Sequence, residues 1–134
     1  MDPILKIRNL REEIKKLVAL EEVILSAAQR TTTLIDAIPK TKQSKSRVEE
    51  YAIKYEEVHG RRVQCELALL KEQTDLMEAL TEHVHERVLD AMKLRYIDEL
   101  TIAEIAAQMN CSERQVNRLL AGGRLTMKEV GLLH

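Results

Sequence analysis

The chain has 134 residues, with 21 basic side chains against 22 acidic ones and neither Trp nor Phe. That length holds one domain, or one small module on an extended arm, and the core must come from Leu, Ile, Val, Met and Ala. Four Gly and two Pro leave little turn chemistry for a sheet, and no run of alternating β-branched residues is present, so an all-α fold is expected. No apolar run approaches the roughly 20 residues of a membrane span. Cys65 and Cys111 belong to no CxxC pair, and no cationic-then-apolar leader precedes them, so they read as reduced thiols of a cytoplasmic protein. A formal net charge of −1 does not announce a nucleic-acid partner; the placement of the charges must decide.

From the N-terminus, Ile7, Leu10, Ile14, Leu17, Leu20, Ile24, Ala27, Leu34 and Ile38 recur at three- and four-residue steps, which predicts one long amphipathic helix over about 3–38. Pro39 ends it, because proline disfavours helical geometry at the residue before it. The stretch "PKTKQSKSR" is polar throughout and reads as an exposed basic loop, 39–46, with Lys40, Lys42, Lys45 and Arg47 near it. Two readings stand for those cations, a plain soluble connector or an arm contacting phosphates.

Ser46 and Glu49 form an S-x-x-E capping box for a second long helix over about 46–82, with Gly60 as a kink or break. Two long helices joined by a short loop fold back as an antiparallel hairpin. Residues 1–82 are therefore expected to form that hairpin, for oligomerisation or partner binding, and 83–134 a separate domain. A lone hairpin leaves part of each apolar stripe wet, so a further partner is expected: a homo-oligomer, with a dimer favoured.

"HVHE" contains His83 and His85, but helical positions two apart face different ways and cannot easily share one ion. No nucleophile–base pair, phosphate-cradling glycine loop or carboxylate dyad appears at supporting spacing. No enzyme activity, cofactor or metal is expected.

The C-terminal segment is the informative one. After an inward stripe of Val88, Leu89, Met92, Tyr96 and Ile97, Thr101 and Glu104 make a capping box for a helix with Ile102, Ile105, Ala106 and Met109 facing inward. Asn110 suits the left-handed conformation that stops a helix and turns the chain. Ser112 with Gln115 caps the next helix, which buries Val116, Leu119 and Leu120. Helix, turn of about four residues, capped helix: this is helix-turn-helix spacing. With Val116 inward, steps of about 100° put Arg114 and Arg118 on the opposite side, flanked by Gln115 and Asn117. Arg pairs with guanine, and Asn or Gln with adenine, whereas folding alone gives no reason for two Arg four apart on one face. Ser112 and Arg124 are expected to join this interface, and Thr101 to contact phosphate.

Local charge agrees with that reading. Ser112–Lys128 sums to +3, from Arg114, Arg118, Arg124 and Lys128 against Glu113. Residues 40–62 also sum to +3, seven basic minus four acidic, while 63–85 sum to −4, one basic minus five acidic. A near-neutral total hides two basic patches.

"VLDAMKLRYIDELTIAEIAAQMNCSERQVNRLL" resembles region four of sigma-70-type factors, the domain that reads the upstream (−35) promoter element in the major groove. The features that match are "LRYID", "LTIAEIAAQM" and "CSERQVNRLL". The segment is also similar to small sigma-like phage regulators, the late-gene activators of the ArpU and RinA type. The resemblance implies a phage or prophage transcription regulator that binds double-stranded DNA through the 112–121 helix, with the long helices joining subunits, contacting RNA polymerase, or both. It places Arg114, Gln115, Asn117 and Arg118 at positions that face DNA, with Glu113 nearer the protein. Nothing resembles the sigma region that melts the −10 element, and S-E-R-Q-V-N-R replaces the common T-R-E-R-x-R-Q, so a sigma's promoter sequence does not transfer. Gly122 and Gly123 in "AGGR" are expected to end the reading helix, with 125–134 forming at most a short helix packed back on the motif. Two rival readings stand beside this one: a small terminase-like packaging subunit, and an adaptor whose helix-turn-helix binds protein and no DNA.

Overall fold

A computed structural model describes the backbone of residues 2–37 and 42–131, and the side chains of 2–31 and 47–131. Five helices follow one another among these residues, with no strand: α1 (Pro3–Ala37), α2 (Lys42–Thr81), α3 (Glu86–Tyr96), α4 (Ile102–Met109) and α5 (Glu113–Glu129). The chain is all-α, a long antiparallel helical hairpin followed by a C-terminal helix-turn-helix. Among the described residues, no helix is long and apolar enough to cross a membrane.

Asp2 starts α1, its Oδ1 accepting the Ile4 N–H at 2.8 Å. Pro3 takes the first helical position, where a missing N–H costs nothing. Pro39 and Lys40 lie outside the described residues. α2 begins at Lys42, ahead of the Ser46–Glu49 signal, because Lys and Gln are good helix formers and nothing at 42–45 opposes helix. It also runs unbroken through Gly60. That glycine is exposed, and a Cβ there would meet nothing within 4 Å, so it lowers propensity without turning the chain.

The contacts divide the chain into two compact units, one of Leu10–Ala68 and one of the residues up to Asn9 together with those from Leu69 onward. The division falls well before the 82/83 position expected from sequence, because Ile7, Leu76 and Leu80 share a buried cluster with α3, α4 and α5.

In the hairpin unit, Leu17, Ile24 and Val58 are buried, with Tyr51, Tyr55 and Cys65 packed against them. Glu21 is buried on the same seam and accepts from Arg62 Nε at 2.8 Å, while Arg62 Nη1 donates to Glu66 Oε1 at 2.8 Å. His59 Nδ1 lies 3.3 Å from Glu21 and its ring stacks on Tyr55 at 5.6 Å. The Arg62 hydrogen bond holds the Glu21 carboxyl below the usual carboxylate range, against the opposing effect of burial. The same bond raises the Arg62 guanidinium above its ordinary value.

The other unit has the tighter core. Ile7, Leu80, Met92, Ile105, Val116 and Met127 are all under 2% exposed. Gln73, buried beside them, donates through Nε2 to the Tyr96 carbonyl at 3.4 Å. α2 ends at Thr81, and Leu80 O accepts the N–H of both His83 and Val84 as the chain turns into α3. His83 and His85 are exposed in this connection rather than on a helix, and no group of three metal-ligating side chains occurs among the described residues.

Candidate nucleic-acid interface

The interface is held by two reciprocal caps and one left-handed residue. At the start of α4, Thr101 Oγ1 accepts the Glu104 N–H at 3.2 Å, and Glu104 Oε1 accepts the Thr101 N–H at 3.2 Å. Asn110 then adopts φ 53°, ψ 48°. The Cys111 N–H returns to Ala106 O at 3.0 Å, which closes the helix end and sends the chain in a new direction. Two residues later Ser112 Oγ accepts the Gln115 N–H at 3.2 Å, and Gln115 Oε1 accepts the Ser112 N–H at 3.1 Å. Each cap satisfies donors that a helix N-terminus otherwise leaves unpaired. The start of α5 is thereby fixed relative to α4, and with it the direction of every side chain on α5.

α5 buries Val116, Leu120, Gly123 and Met127, positions spaced four, three and four apart. Arg114, Gln115, Asn117, Arg118 and Ala121 are exposed. Helical phase puts Arg114 and Arg118 diametrically opposite Val116, within about 20° of the outward direction. Neither arginine has an ion-pair partner among the described residues. Gln115 has its amide oxygen in the cap, so a two-point grip on adenine through this residue requires the cap to open. Asn117 carries no such duty.

The expected end of this helix is corrected. α5 does not stop at Gly122–Gly123 but continues to Glu129, so the candidate reading helix is 113–129 rather than 112–121. A Cβ on Gly123 would sit 2.8 Å from Met92 Sδ and 3.0 Å from its Cγ, whereas one on Gly122 would meet nothing within 4 Å. Gly123 is small because α3 passes close by, and both glycines keep helical backbone. The glycine that does end the helix is Gly131, at φ 80°. From Gly122 to Glu129 the chain is about two more turns of α5, anchored by buried Met127, rather than the start of a separate short helix.

This longer helix adds a residue the motif alone did not single out. Leu125 is 59% exposed and falls on the Arg114–Arg118–Ala121 stripe at the next helical repeat. The signal was available in its spacing, provided the helix was allowed through the glycines. Arg124 is exposed but lies about 120° round the helix from Arg118, and its Nε donates to the Tyr96 hydroxyl at 3.0 Å, tying α5 to the end of α3. Ser112 and Thr101 are exposed at their caps. Arg47 is exposed on α2 in the hairpin unit; Lys42 and Lys45 are in the first turns of α2, with side chains outside the described residues.

The α3–α4–α5 arrangement is that of a helix-turn-helix. Residues 74–127 match the family described as sigma-70, region 4, and the segment is a sigma-70 region 4-like helix-turn-helix. No curated protein and no solved structure matches the chain significantly.

Proposed function

We propose that this chain is a sequence-specific transcription regulator, encoded by a phage or prophage, that lays α5 in the major groove of double-stranded DNA. One observation carries the reading: α5 buries one edge completely at Val116 and Leu120 while its opposite edge exposes Arg114 and Arg118 without ion-pair partners, beside Asn117. Guanidinium and carboxamide groups match the hydrogen-bonding edges of guanine and adenine in that groove. Thr101 at its cap, and Lys40, Lys42, Lys45 and Arg47 from the other basic stretch, add phosphate contacts that raise affinity without selecting sequence. The likeness of "LRYID…LTIAEIAAQM…CSERQVNRLL" to small phage regulators supports the viral origin, a cytoplasmic location and a contact with RNA polymerase. The hairpin joins two copies, so that two α5 helices read paired half-sites.

Selection of bound duplexes from a randomised pool, using the purified full chain, tests this. Wild type is expected to enrich one motif. Arg114→Ala or Arg118→Ala should lose about 1–3 kcal/mol on that motif and relax the preference at one base pair. Enrichment of nothing, or of the same motif at equal strength with both arginines removed, refutes the reading. Failure to bind any duplex with retained binding to a protein partner returns the adaptor alternative.

A further inference from the structure

The hairpin unit has a flank whose charges are complementary to themselves. Along α2, Glu50, Lys54, Glu57 and Arg61 follow at steps of four, three and four, all exposed, so they run down one side of the helix with alternating sign. None has an ion-pair partner among the described residues. Beside them, Leu20, Val23 and Ala27 of α1 share a groove of about 300 Å³ with Tyr51, Lys54, Glu57 and Val58. Leu20 is 44% exposed and Val23 61%. No charge interrupts this α1 edge, since Glu21 and Glu22 point elsewhere by helical phase.

From this pattern we infer that the flank formed by Leu20, Val23 and Ala27 of α1 with Glu50–Arg61 of α2 docks on the same flank of a second copy of the chain, around a two-fold axis perpendicular to the helices. This deepens, and rests on, the self-association part of the proposed function. Reversing one α2 against another about a point between Tyr55 and Glu56 sets Glu50 opposite Arg61 of the second copy and Lys54 opposite its Glu57. Every charge then meets its opposite, and the symmetry generates each pair twice. The same axis passes α1 near Val23, because residues 20–27 and 51–58 line one groove. It brings Leu20 opposite Ala27 of the second copy, large against small, and sets the two Val23 side chains beside the axis. A parallel arrangement would instead set like charges together at equal heights, a pairing that costs energy. The alternating row therefore fixes direction and register, and the apolar edge supplies the burial.

Light scattering and sedimentation of the full chain, from about 1 to 100 µM, test the surface together with charge swaps. Wild type is expected at twice the 15.4 kDa chain mass. Lys54→Glu and Glu57→Lys should each weaken association about tenfold or more, since each converts two opposed pairs into repulsive ones. The double variant K54E/E57K should recover to within about threefold of wild type, because the swapped row is again self-complementary. Unchanged helicity by circular dichroism verifies that these exposed sites leave the fold intact. A dimer indifferent to all three variants overturns this surface and leaves self-association standing. A monomer at every concentration, or an assembly of other than two copies, overturns the inference. Neither result bears on base reading by α5, which the Arg114 and Arg118 variants address separately.

Discussion

The two units of this chain are built from the same aliphatic palette yet bury it to different degrees. In the unit holding α3, α4 and α5, Ile7, Leu80, Met92, Ile105, Val116 and Met127 are all but sealed from water, whereas the hairpin unit, among its described residues, buries Leu17, Ile24 and Val58 as its apolar core and leaves Leu20, Val23, Leu25, Ile53 and Leu67 more than 40% exposed. Five short stretches packed together close a core; two helices side by side make a seam with two open flanks. The lesson is one of division of labour. A unit that must present α5 at a fixed angle needs a closed core beneath it, and a unit with open flanks is suited to meeting another surface.

The largest effect is expected at the closed core. Ile105→Ala removes a side chain that is 0% exposed and should cost about 2–5 kcal/mol in denaturant unfolding; a loss no larger than that of an exposed apolar truncation would show that this core is not closed. Next in size, Gly123→Val drives methyl groups into buried Met92 and should cost about 1–3 kcal/mol. The neighbouring Gly122→Ala meets open space on the same helix and should raise stability by about 0.5–1 kcal/mol. Opposite signs for adjacent glycines, read by thermal melts, would sharpen the claim that close packing of α3 on α5 dictates the second glycine and not the first; equal signs would remove it.

The smallest effect expected is in the hairpin unit and depends on pH. Glu21 is held below the usual carboxylate range by Arg62, so its folded-state value is depressed relative to the unfolded chain. Its contribution is therefore complete above the ordinary carboxylate value and fades as pH falls through that value toward the lower folded one. Melts of wild type and Glu21→Gln should converge as the solution is acidified, with wild type the more stable at neutral pH. A difference that grows on acidification has the wrong sign for this account.

Much of the helix-turn-helix was legible because its determinants are local. Thr101 with Glu104, Ser112 with Gln115, and Asn110 each specify backbone geometry within three or four residues, and each takes that geometry here. The inward face of Ile105, Ala106, Val116 and Leu120 follows from period alone. What sequence did not yield depends on partners distant along the chain. Gly122–Gly123 reads locally as a stop, but the contact that decides Gly123 is with Met92, and the real stop is Gly131. Arg124 reads locally as one more cation for DNA, and its hydrogen bond through Nε to Tyr96, 28 residues earlier, is visible only in the folded chain. The unit boundary was missed for the same reason, since Ile7 and Leu80 join the C-terminal cluster only through tertiary packing. A capping box can even mislead: Ser46–Glu49 marks a start, while α2 already begins at Lys42. Exposure of the Arg114–Arg118 edge follows from helical phase alone.

Methylation interference on the selected duplex shows whether α5 reads the major groove, because guanine N7 lies in that groove and is the atom an arginine there engages. Premethylating one or more guanines at N7 is expected to block binding by the wild-type chain, and Arg114→Ala or Arg118→Ala to make binding indifferent to the methyl group at one of those guanines. Binding that ignores N7 methylation but is blocked by methylation of adenine N3 in the minor groove would contradict major-groove reading by α5.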